Sequence, residues 1–239
     1  MISIVIPVKN EESVIEKTLQ KLKEIKTLEY EIIVSDGNST DRTVEICNKY
    51  ADKVIEATEH QKTIAAGKNA GAAIARGEYV LFIDADIIIP NPDELLHKAL
   101  AVMEKDPQIL GVTVSLRVFP EMETFLDWVV FGSVNWVHYF RNNWIHSASA
   151  SGEFQLVRHD AFKKIGGFEE KFAVGEDNVM FWRLSQIGKT RMLKQLMVFH
   201  TGRRAHIIGW PKLLYQWLSN SFYLAFKGRS SMDEWKPLR

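Results

Sequence analysis

The chain has little cysteine and no long apolar run, and each absence excludes a class of protein. Cys47 is the single cysteine, so no internal disulfide can form and a disulfide-stapled secreted scaffold is excluded. No run of about eighteen apolar residues occurs, so no transmembrane helix is expected. The chain opens on a β-branched strand pattern at 2–8 without a preceding basic segment, which argues against a signal peptide. We therefore expect a cytoplasmic protein, with a place at the cytoplasmic face of a membrane left open.

The chain also lacks net charge. Its 30 basic residues balance 30 acidic residues, so a surface made for polyanions is not indicated and nucleic acid is not an expected partner. A local basic patch stays possible under this balance. With 239 residues, 46% of them apolar, the chain can bury the core of one large domain or two small ones.

Apolar runs and helical patterns alternate along the first half of the chain. Strands are predicted at 2–8, 30–35, 53–56 and 79–84, and helices at 12–25, 41–50, 63–76 and 92–105. This rhythm predicts an α/β fold, with a mostly parallel, twisted, Rossmann-like sheet flanked by helices. Ligands in such folds bind beyond the carboxyl ends of the strands, where the polar clusters KNEE, DGNSTD and DAD all fall.

The second half has a different pattern. Strands are predicted at 110–118, 154–157 and 197–200, and helices at 160–165, 176–187 and 211–226. Two stretches, 125–144 and 210–226, hold most of the tryptophans. Three alternatives stay open: that these stretches lie in the core, that Trp128, Trp136 or Trp144 stacks on a sugar, or that an amphipathic helix rests on a membrane. A peripheral membrane or partner-binding role is favoured for the tail, and its flanking Lys212, Lys227 and Arg229 fit a membrane contact.

The stretch VLFIDAD is the most informative local pattern. It predicts a buried strand that ends in Asp84 and Asp86, whose side chains point to the same side because strand residues alternate faces. Two such carboxylates repel each other unless a cation lies between them, and Mg²⁺ typically takes one or two carboxylates together with substrate phosphates. The alternative is that each aspartate only caps the following turn.

Five segments, spanning residues 4–184, carry a wider resemblance. In order they are IVIPVKNEE, EIIVSDGNSTDRT, AAGKNAGAAIARGEYVLFIDAD, GEFQLVRHDAFKKIGGFEEKF and GEDNVMFWRL. In these segments the chain resembles family 2 glycosyltransferases with the GT-A fold. The resemblance implies a UDP- or GDP-linked sugar donor, a divalent cation (Mn²⁺ or Mg²⁺), and inversion at the anomeric carbon. It divides the chain into a donor-binding half at 1–110, an acceptor-binding and catalytic half at 111–205, and an amphipathic aromatic tail at 206–239.

The resemblance also assigns roles to single residues. Asp86 and Asp84 are implied as metal ligands, Asp84 also as a ribose contact, and His200 as a third ligand. The residues implied to contact the donor nucleotide or sugar are Pro7, Asn10, Glu11, Asp36, Lys68, Asp84, Gly152, Arg203 and Arg204. The alternatives are that Asp36 only forms a turn, that Lys68 and the arginines are solvated, and that His200 is structural.

The GED motif carries the chemistry in this interpretation. By resemblance Asp177 is the base that removes the acceptor hydroxyl proton, with Glu176 beside it; the alternative is a pair of acids that favour a helix start. The expected acceptor is a hydroxyl of a glycan or lipid-linked glycan. A polyprenyl-phosphate glycosyltransferase is the rival enzyme, but its anionic acceptor needs no base. A non-catalytic nucleotide-sugar-binding module is the rival outside enzymes, and a nucleotidyltransferase is disfavoured because IPVKNEE contains no glycine.

Overall fold

The computed structural model describes residues 1–56, 63–145, 147–227 and 229–232. Within them the chain forms a seven-stranded sheet in the order β3-β2-β1-β4-β6-β5-β7. Neighbouring strands are parallel except at β6, which runs antiparallel to both β4 and β5. The strands are β1 Ile2–Val8, β2 Tyr30–Asp36, β3 Lys53–Glu56, β4 Tyr79–Phe82, β5 Ile109–Val118, β6 Gln155–Arg158 and β7 Lys189–His200.

Helices connect the strands and cover the sheet. They are α1 Ile15–Leu22, α2 Thr43–Tyr50, α3 Ile64–Ala73, α4 Pro92–Lys105, α5 Phe125–Asn143, α6 His159–Lys164, α7 Glu176–Ser185, α8 Arg203–Ile208 and α9 Trp210–Lys227. Several have the side chains that start helices: Thr63 caps α3, Asn91 caps α4 with Pro92 following it, and Thr124 forms a capping box with Asp127 at α5.

Alternate residues of the central strands pack into two different hydrophobic clusters. Ile4 and Leu81 belong to one cluster, whereas Val5, Val80 and Phe82 belong to the other. Because successive strand residues point to opposite faces, the two clusters lie on the two sides of the sheet. The predicted α/β architecture, a mostly parallel sheet with helices on both faces, is therefore confirmed.

The second half departs from the sequence prediction in two places. The last strand begins at Lys189 rather than at residue 197, and the short helix α8 was not predicted. β7 lies at the edge of the sheet, where charged residues such as Arg191 and Lys194 are tolerated and conceal the strand pattern. Helix α8 lies between Gly202 and Gly209, both with positive φ, and six residues are too few for a clear helical period.

The aromatic segments are only partly core. Phe131, Trp210 and Leu213 are buried, but Trp128, Trp136 and Trp144 are exposed, so burial in the core does not account for the whole of either aromatic segment. Among the described residues no helix is long and apolar enough to cross a membrane. The three-part division of the chain stays a prediction, and the end of its tail lies outside the described residues.

Candidate functional site

Asp84 and Asp86 lie in the turn that follows β4, at the carboxyl edge of the parallel strands. The turn is held from both sides. Thr18 of α1 donates a hydrogen bond to the Ala85 carbonyl at 2.7 Å, and Ile88 exchanges two backbone hydrogen bonds with Phe199 near the end of β7, at 2.8 and 2.9 Å. This antiparallel bridge brings the end of β7 to the aspartates, so that the Thr201 hydroxyl donates to Asp86 Oδ2 at 2.6 Å.

Lys68 is buried and paired with the predicted base. Its Nζ lies 2.7 Å from Asp177 Oδ1 and 4.0 Å from Glu176 Oε1, and its side chain is 1% exposed. The ammonium also lies 5.2 Å from the centre of the Phe168 ring, within the range of a cation–π interaction. Lys68 is therefore not a solvated helical lysine; α3 directs it across the sheet edge to the start of α7.

Three carboxylates act on this lysine, those of Asp84, Glu176 and Asp177, and Glu153 lies near Asp84 and Asp177. We call these four acids the carboxylate cluster. Burial raises the pKa of Asp84 to about 8, where Lys68 opposes the shift and the neighbouring acids add to it. Burial likewise raises the pKa of Glu153 to about 7, and burial with Asp177 raises that of Glu176 to about 8. Burial alone would lower the pKa of Lys68, but the carboxylates raise it above its usual range, so the lysine stays charged.

Gly152 lets the backbone come close to Asp177. A Cβ at this position would lie 2.7 Å from Asp177 Oδ2 and 3.3 Å from Lys68 Nζ, which is less room than a methyl group needs. The two oxygens of Asp177 thus face different groups, with Oδ1 on Lys68 and Oδ2 towards the Gly152 backbone. The Asp177 side chain keeps 17% of its surface exposed, so a small polar group can reach it.

The C-terminal helix supports the loop that precedes Asp177. Gly175 precedes α7 with φ of 88°, a conformation that favours glycine, and a Cβ there would lie 2.5 Å from Leu224 of α9. Asn220 of α9 donates to the Val174 carbonyl at 3.1 Å. One face of α9 therefore packs on the loop before the GED motif and fixes where α7 begins.

Two residues predicted to bind the donor contact each other. Arg203, the first residue of α8, binds Glu11 through both guanidinium NH groups at 3.1 Å, and its NH2 lies 4.0 Å from Asp86 Oδ2. This ion pair joins the loop after β1 to the end of β7 and places a cation beside the DAD turn. Arg204 is half-buried next to Arg203, and burial with that neighbouring charge lowers the pKa of Arg204 to about 10.

Asn10 joins the loop after β1 to the loop after β2, and Asp36 holds the turn of the second loop. Asn10 has φ of 52°, accepts from the Thr40 amide at 2.6 Å, and its backbone amide donates to the Ser39 hydroxyl at 2.7 Å. Asp36 ends β2 buried, and its two oxygens accept from the amide and the hydroxyl of Ser39. The turn-forming alternative for Asp36 is thus present in the structure, and its contact with a base stays a prediction.

Pro7 pairs with Ser35 across β1 and β2, at the edge where α3 crosses. Gly67 of that helix lies against both residues, because a Cβ there would be 3.3 Å from Ser35 Oγ and 3.7 Å from Pro7 Cβ. Pro7 thus forms part of the floor beneath the start of α3, on the same sheet edge as the DAD turn. Its contact with a base stays a prediction.

The residues predicted to hold a metal fit this role in part. Asp84 and Asp86 supply hard oxygen donors, and His200 Nε2 is buried without a hydrogen-bond partner while its ring lies edge-on to Phe131 at 4.7 Å. Burial lowers the pKa of His200 to about 4, so its imidazole is neutral, as a ligand requires. Among the described residues, no group of three His, Cys, Asp or Glu side chains is arranged to hold an ion alone. A metal at Asp84 and Asp86 would need oxygens from a bound donor.

The structure gives two further residues a defined place in the site. Glu153 joins the carboxylate cluster, and Thr201 binds Asp86. Glu153 follows Gly152 in the GEF segment, so an acid in that segment was a usable signal. Thr201 had none, because only the bridge between Ile88 and Phe199 brings it to the aspartate.

Sequence comparison finds relatives over most of the chain. The family described as "Glycosyl transferase family 2" matches residues 3–166. The succinoglycan biosynthesis protein ExoA of Rhizobium meliloti (strain 1021) is 32% identical over 193 residues, which cover 77% of this chain and 58% of that protein. The chain thus spans a little over half the length of this relative.

Structural comparison gives the same fold. The mannosyltransferase PcManGT from Pyrobaculum calidifontis, solved with GDP-Man and Mn²⁺, matches with a TM-score of 0.75 at 20% identity, over 95% of this chain and 64% of that one. Glucosyl-3-phosphoglycerate synthase from Mycobacterium tuberculosis, solved with Mn²⁺, UDP and glucosyl-3-phosphoglycerate, matches with a TM-score of 0.66 at 18% identity, over 97% and 81% of the two chains. The fold is therefore GT-A, and the match over residues 3–166 shows that this chain belongs to glycosyltransferase family 2.

Proposed function

We propose that the protein is an inverting, metal-dependent glycosyltransferase that moves a hexose from a UDP- or GDP-sugar to a hydroxyl of a glycan or lipid-linked glycan. The observation that carries the proposal is the position of Asp177, within 2.7 Å of buried Lys68 and at the same sheet edge as Asp84 and Asp86. The proposed base, the Lys68 ammonium and the DAD turn thus lie at the edge where an α/β sheet binds ligands.

The donor would lie between the DAD turn and the start of α8. Asp86 and Asp84, together with oxygens of the bound donor and with His200 as the predicted third protein ligand, would hold a divalent ion, whose chemistry is to neutralise charge on the departing nucleoside diphosphate. Arg203 already lies beside Asp86 and is suited to bind diphosphate oxygens, because a guanidinium offers paired donors. Binding of the donor by Arg203 competes with its ion pair to Glu11, so we expect the two to exchange.

Transfer would proceed by one in-line displacement. Asp177 removes the proton of the acceptor hydroxyl, that oxygen bonds to the anomeric carbon, and the bond from this carbon to the diphosphate oxygen breaks. The nucleoside diphosphate leaves with the electron pair, and Asp177 carries the proton away. Lys68 on Oδ1 holds the carboxylate in place, so that Oδ2, on the Gly152 side, is the oxygen that accepts the proton.

Two features beyond the chemistry belong to the same proposal. We expect the protein to act at the cytoplasmic face of a membrane. Helix α9 exposes Tyr215, Leu218, Phe222 and Phe226, and Lys227 and Arg229 lie near its end, which is the composition of a helix that rests on a lipid surface. The GED acid pair favours a hydroxyl acceptor over a polyprenyl phosphate, which is already an anion and needs no base.

The experiment is a donor panel followed by product analysis. Unfolding temperature is measured with UDP, GDP and their hexose conjugates in the presence of Mn²⁺, since a ligand of the native state raises stability by mass action. The donor found is then given with hydroxyl and polyprenyl-phosphate acceptors, and NMR reads the anomeric configuration of the product. Inverted product on a hydroxyl acceptor supports the proposal; retention, or donor binding without transfer to any acceptor, contradicts it.

A further inference from the structure

The exposed face of helix α5 is apolar along its whole length. Its exposed side chains include Phe125, Trp128, Trp136 and Phe140, and no exposed residue of this described helix is charged. The one hydroxyl on the face, that of Ser133, donates to the Val129 carbonyl at 2.8 Å, so its proton is not available for a hydrogen bond to water. We call this face the α5 stripe; its residues are Phe125, Leu126, Trp128, Val129, Gly132, Ser133, Trp136, Val137 and Phe140.

The stripe is a formed surface with a shape of its own. Phe125 stacks on Trp128 with ring centres 6.0 Å apart, and Trp136 stacks on Phe140 at 5.6 Å with nearly parallel planes. Between the two pairs, Gly132 leaves an open groove of about 420 Å³, lined by Trp128, Val129, Gly132, Ser133, Trp136 and Val137. Several exposed aromatic rings in one row are more than scattered surface residues, and such patches mark interaction sites.

The charge around the stripe indicates what covers it. Residues 128–152 contain no aspartate or glutamate, and neither do residues 178–232, although the whole chain holds equal numbers of acids and bases. The acid-free stretch 178–232 includes β7, which packs on α5. Of its basic residues, Arg191 and Lys194 lie on β7, the strand that packs on α5.

Two basic side chains lie beside the C-terminal part of α5. Lys194 Nζ is 5.0 Å from the centre of the Tyr139 ring, and Arg191 NH1 lies 3.5 Å from the Asn142 carbonyl. Aromatic and aliphatic side chains on one face with cations at the rim are the composition of helices that lie in a lipid interface. A second copy of this chain on the same stripe would bring cation to cation, which argues against self-association.

We propose that the α5 stripe docks the protein on an anionic lipid bilayer, with Trp128, Trp136 and Phe140 entering the acyl boundary and Arg191 and Lys194 meeting lipid headgroups. Docking would take place close to the donor site. Asp127, at the start of α5, accepts a hydrogen bond from His206 of α8 at 2.8 Å, and α8 begins with Arg203. The proposal adds a second surface to the membrane contact proposed for the tail, and lipid binding can be measured whether or not the transfer assay succeeds.

The test is co-sedimentation of the full chain with vesicles of phosphatidylcholine alone or mixed with phosphatidylglycerol. We expect binding to the anionic vesicles, weakened by salt, and a fall of about tenfold or more in the partition coefficient for the double variant Trp128→Ser/Trp136→Ser. The matched control is Trp182→Ser, which removes an exposed tryptophan on α7 outside the stripe and should bind as the unchanged protein does.

Additional variants distinguish docking through the α5 stripe from docking through α9 and from self-association. Lys194→Gln with Arg191→Gln should remove the preference for anionic vesicles and leave the unfolding temperature nearly unchanged. Equal binding by the stripe variant and the Trp182 control overturns the proposal, as does loss of binding only on Phe222→Ser in α9. A dimer in sedimentation velocity that the stripe variant converts to monomer also overturns it, because the stripe would then be a protein interface.

Discussion

Lys68 and Asp177 form a buried ion pair of 2.7 Å across 109 residues of sequence. The pair joins α3 to the first turn of α7, which carries the proposed base. Burying a lysine is costly unless a carboxylate answers its charge, and here the carboxylate cluster does so. The pair therefore fixes the position of Asp177 and keeps it beside a permanent cation.

Replacing Lys68 should damage both stability and turnover. In Lys68→Met the carboxylate cluster loses its cation, and breaking a buried pair typically costs about 3–5 kcal/mol. We expect the rate of transfer to fall by at least about tenfold because Asp177 loses its anchor. Urea unfolding and steady-state transfer measure the two effects. The double variant Lys68→Met/Asp177→Asn should regain part of the stability but none of the activity; additive losses in stability would contradict the pairing.

Gly152→Ala tests the close approach of backbone to base. The added methyl would lie 2.7 Å from Asp177 Oδ2 and must displace it, so the rate of transfer should fall by about tenfold or more. Gly71→Ala is the matched control: its methyl would meet Val5 Cγ1 at 2.4 Å in the core, away from the cluster. The control should mainly lower the unfolding temperature, with a smaller effect on the turnover of the folded fraction. A larger loss of turnover in Gly71→Ala than in Gly152→Ala would contradict the geometry.

Substitutions at Arg203 and at Glu11 should both weaken the affinity for the donor, to different extents. Arg203→Gln removes the cation beside Asp86, and we expect donor affinity to fall about tenfold, as for loss of one charge-assisted contact. Glu11→Gln frees Arg203 from its present partner, so it should weaken donor binding less than Arg203→Gln does. Calorimetric titration with donor and Mn²⁺ measures both. Unchanged affinity in Arg203→Gln would exclude the arginine from the donor site.

A pH-dependent stability is expected from Glu31, which lies away from the site. Burial would raise its pKa, but hydrogen bonds from Ser3 and Arg76, with the charge of Lys53, lower it from 4.5 to about 2. Because the folded pKa is depressed, the carboxylate stabilises the fold above pH 4.5, by up to about 3 kcal/mol, and this stability is lost as the pH falls towards 2. Urea unfolding should give Glu31→Gln a lower free energy of unfolding than the unchanged protein at pH 7, and this difference should shrink by about pH 3. A difference that does not depend on pH would contradict this prediction.

Most of the fold could be predicted from the sequence, but the pairing of side chains within the site could not. Strands 2–8 and 53–56 and helix 92–105 have the predicted bounds, since apolar alternation, Asn91 and Pro92 are local signals. The pairs Lys68–Asp177 and Arg203–Glu11 depend on tertiary geometry between distant segments, which no local pattern encodes.

The exposed tryptophans show a second limit of prediction from the sequence. The stretch 125–144 is apolar enough to be core, yet its helix buries only one face, against β5 and β7. Composition alone could not tell a buried aromatic helix from one that keeps a second apolar face outside. Only the packing of Phe131 inside and Trp136 outside separates the two.

Whether Asp177 is the base is tested most directly by single-turnover transfer in Asp177→Asn, with donor affinity measured in parallel. Asparagine keeps the shape but cannot take a proton, so we expect the transfer rate to fall by about 10²–10⁴ and the donor affinity to stay within a few-fold of that of the unchanged protein. Glu176→Gln, at the neighbouring acid, is the matched control and should lose less of the transfer rate. A transfer rate for Asp177→Asn equal to that of the unchanged protein would exclude Asp177 as the base.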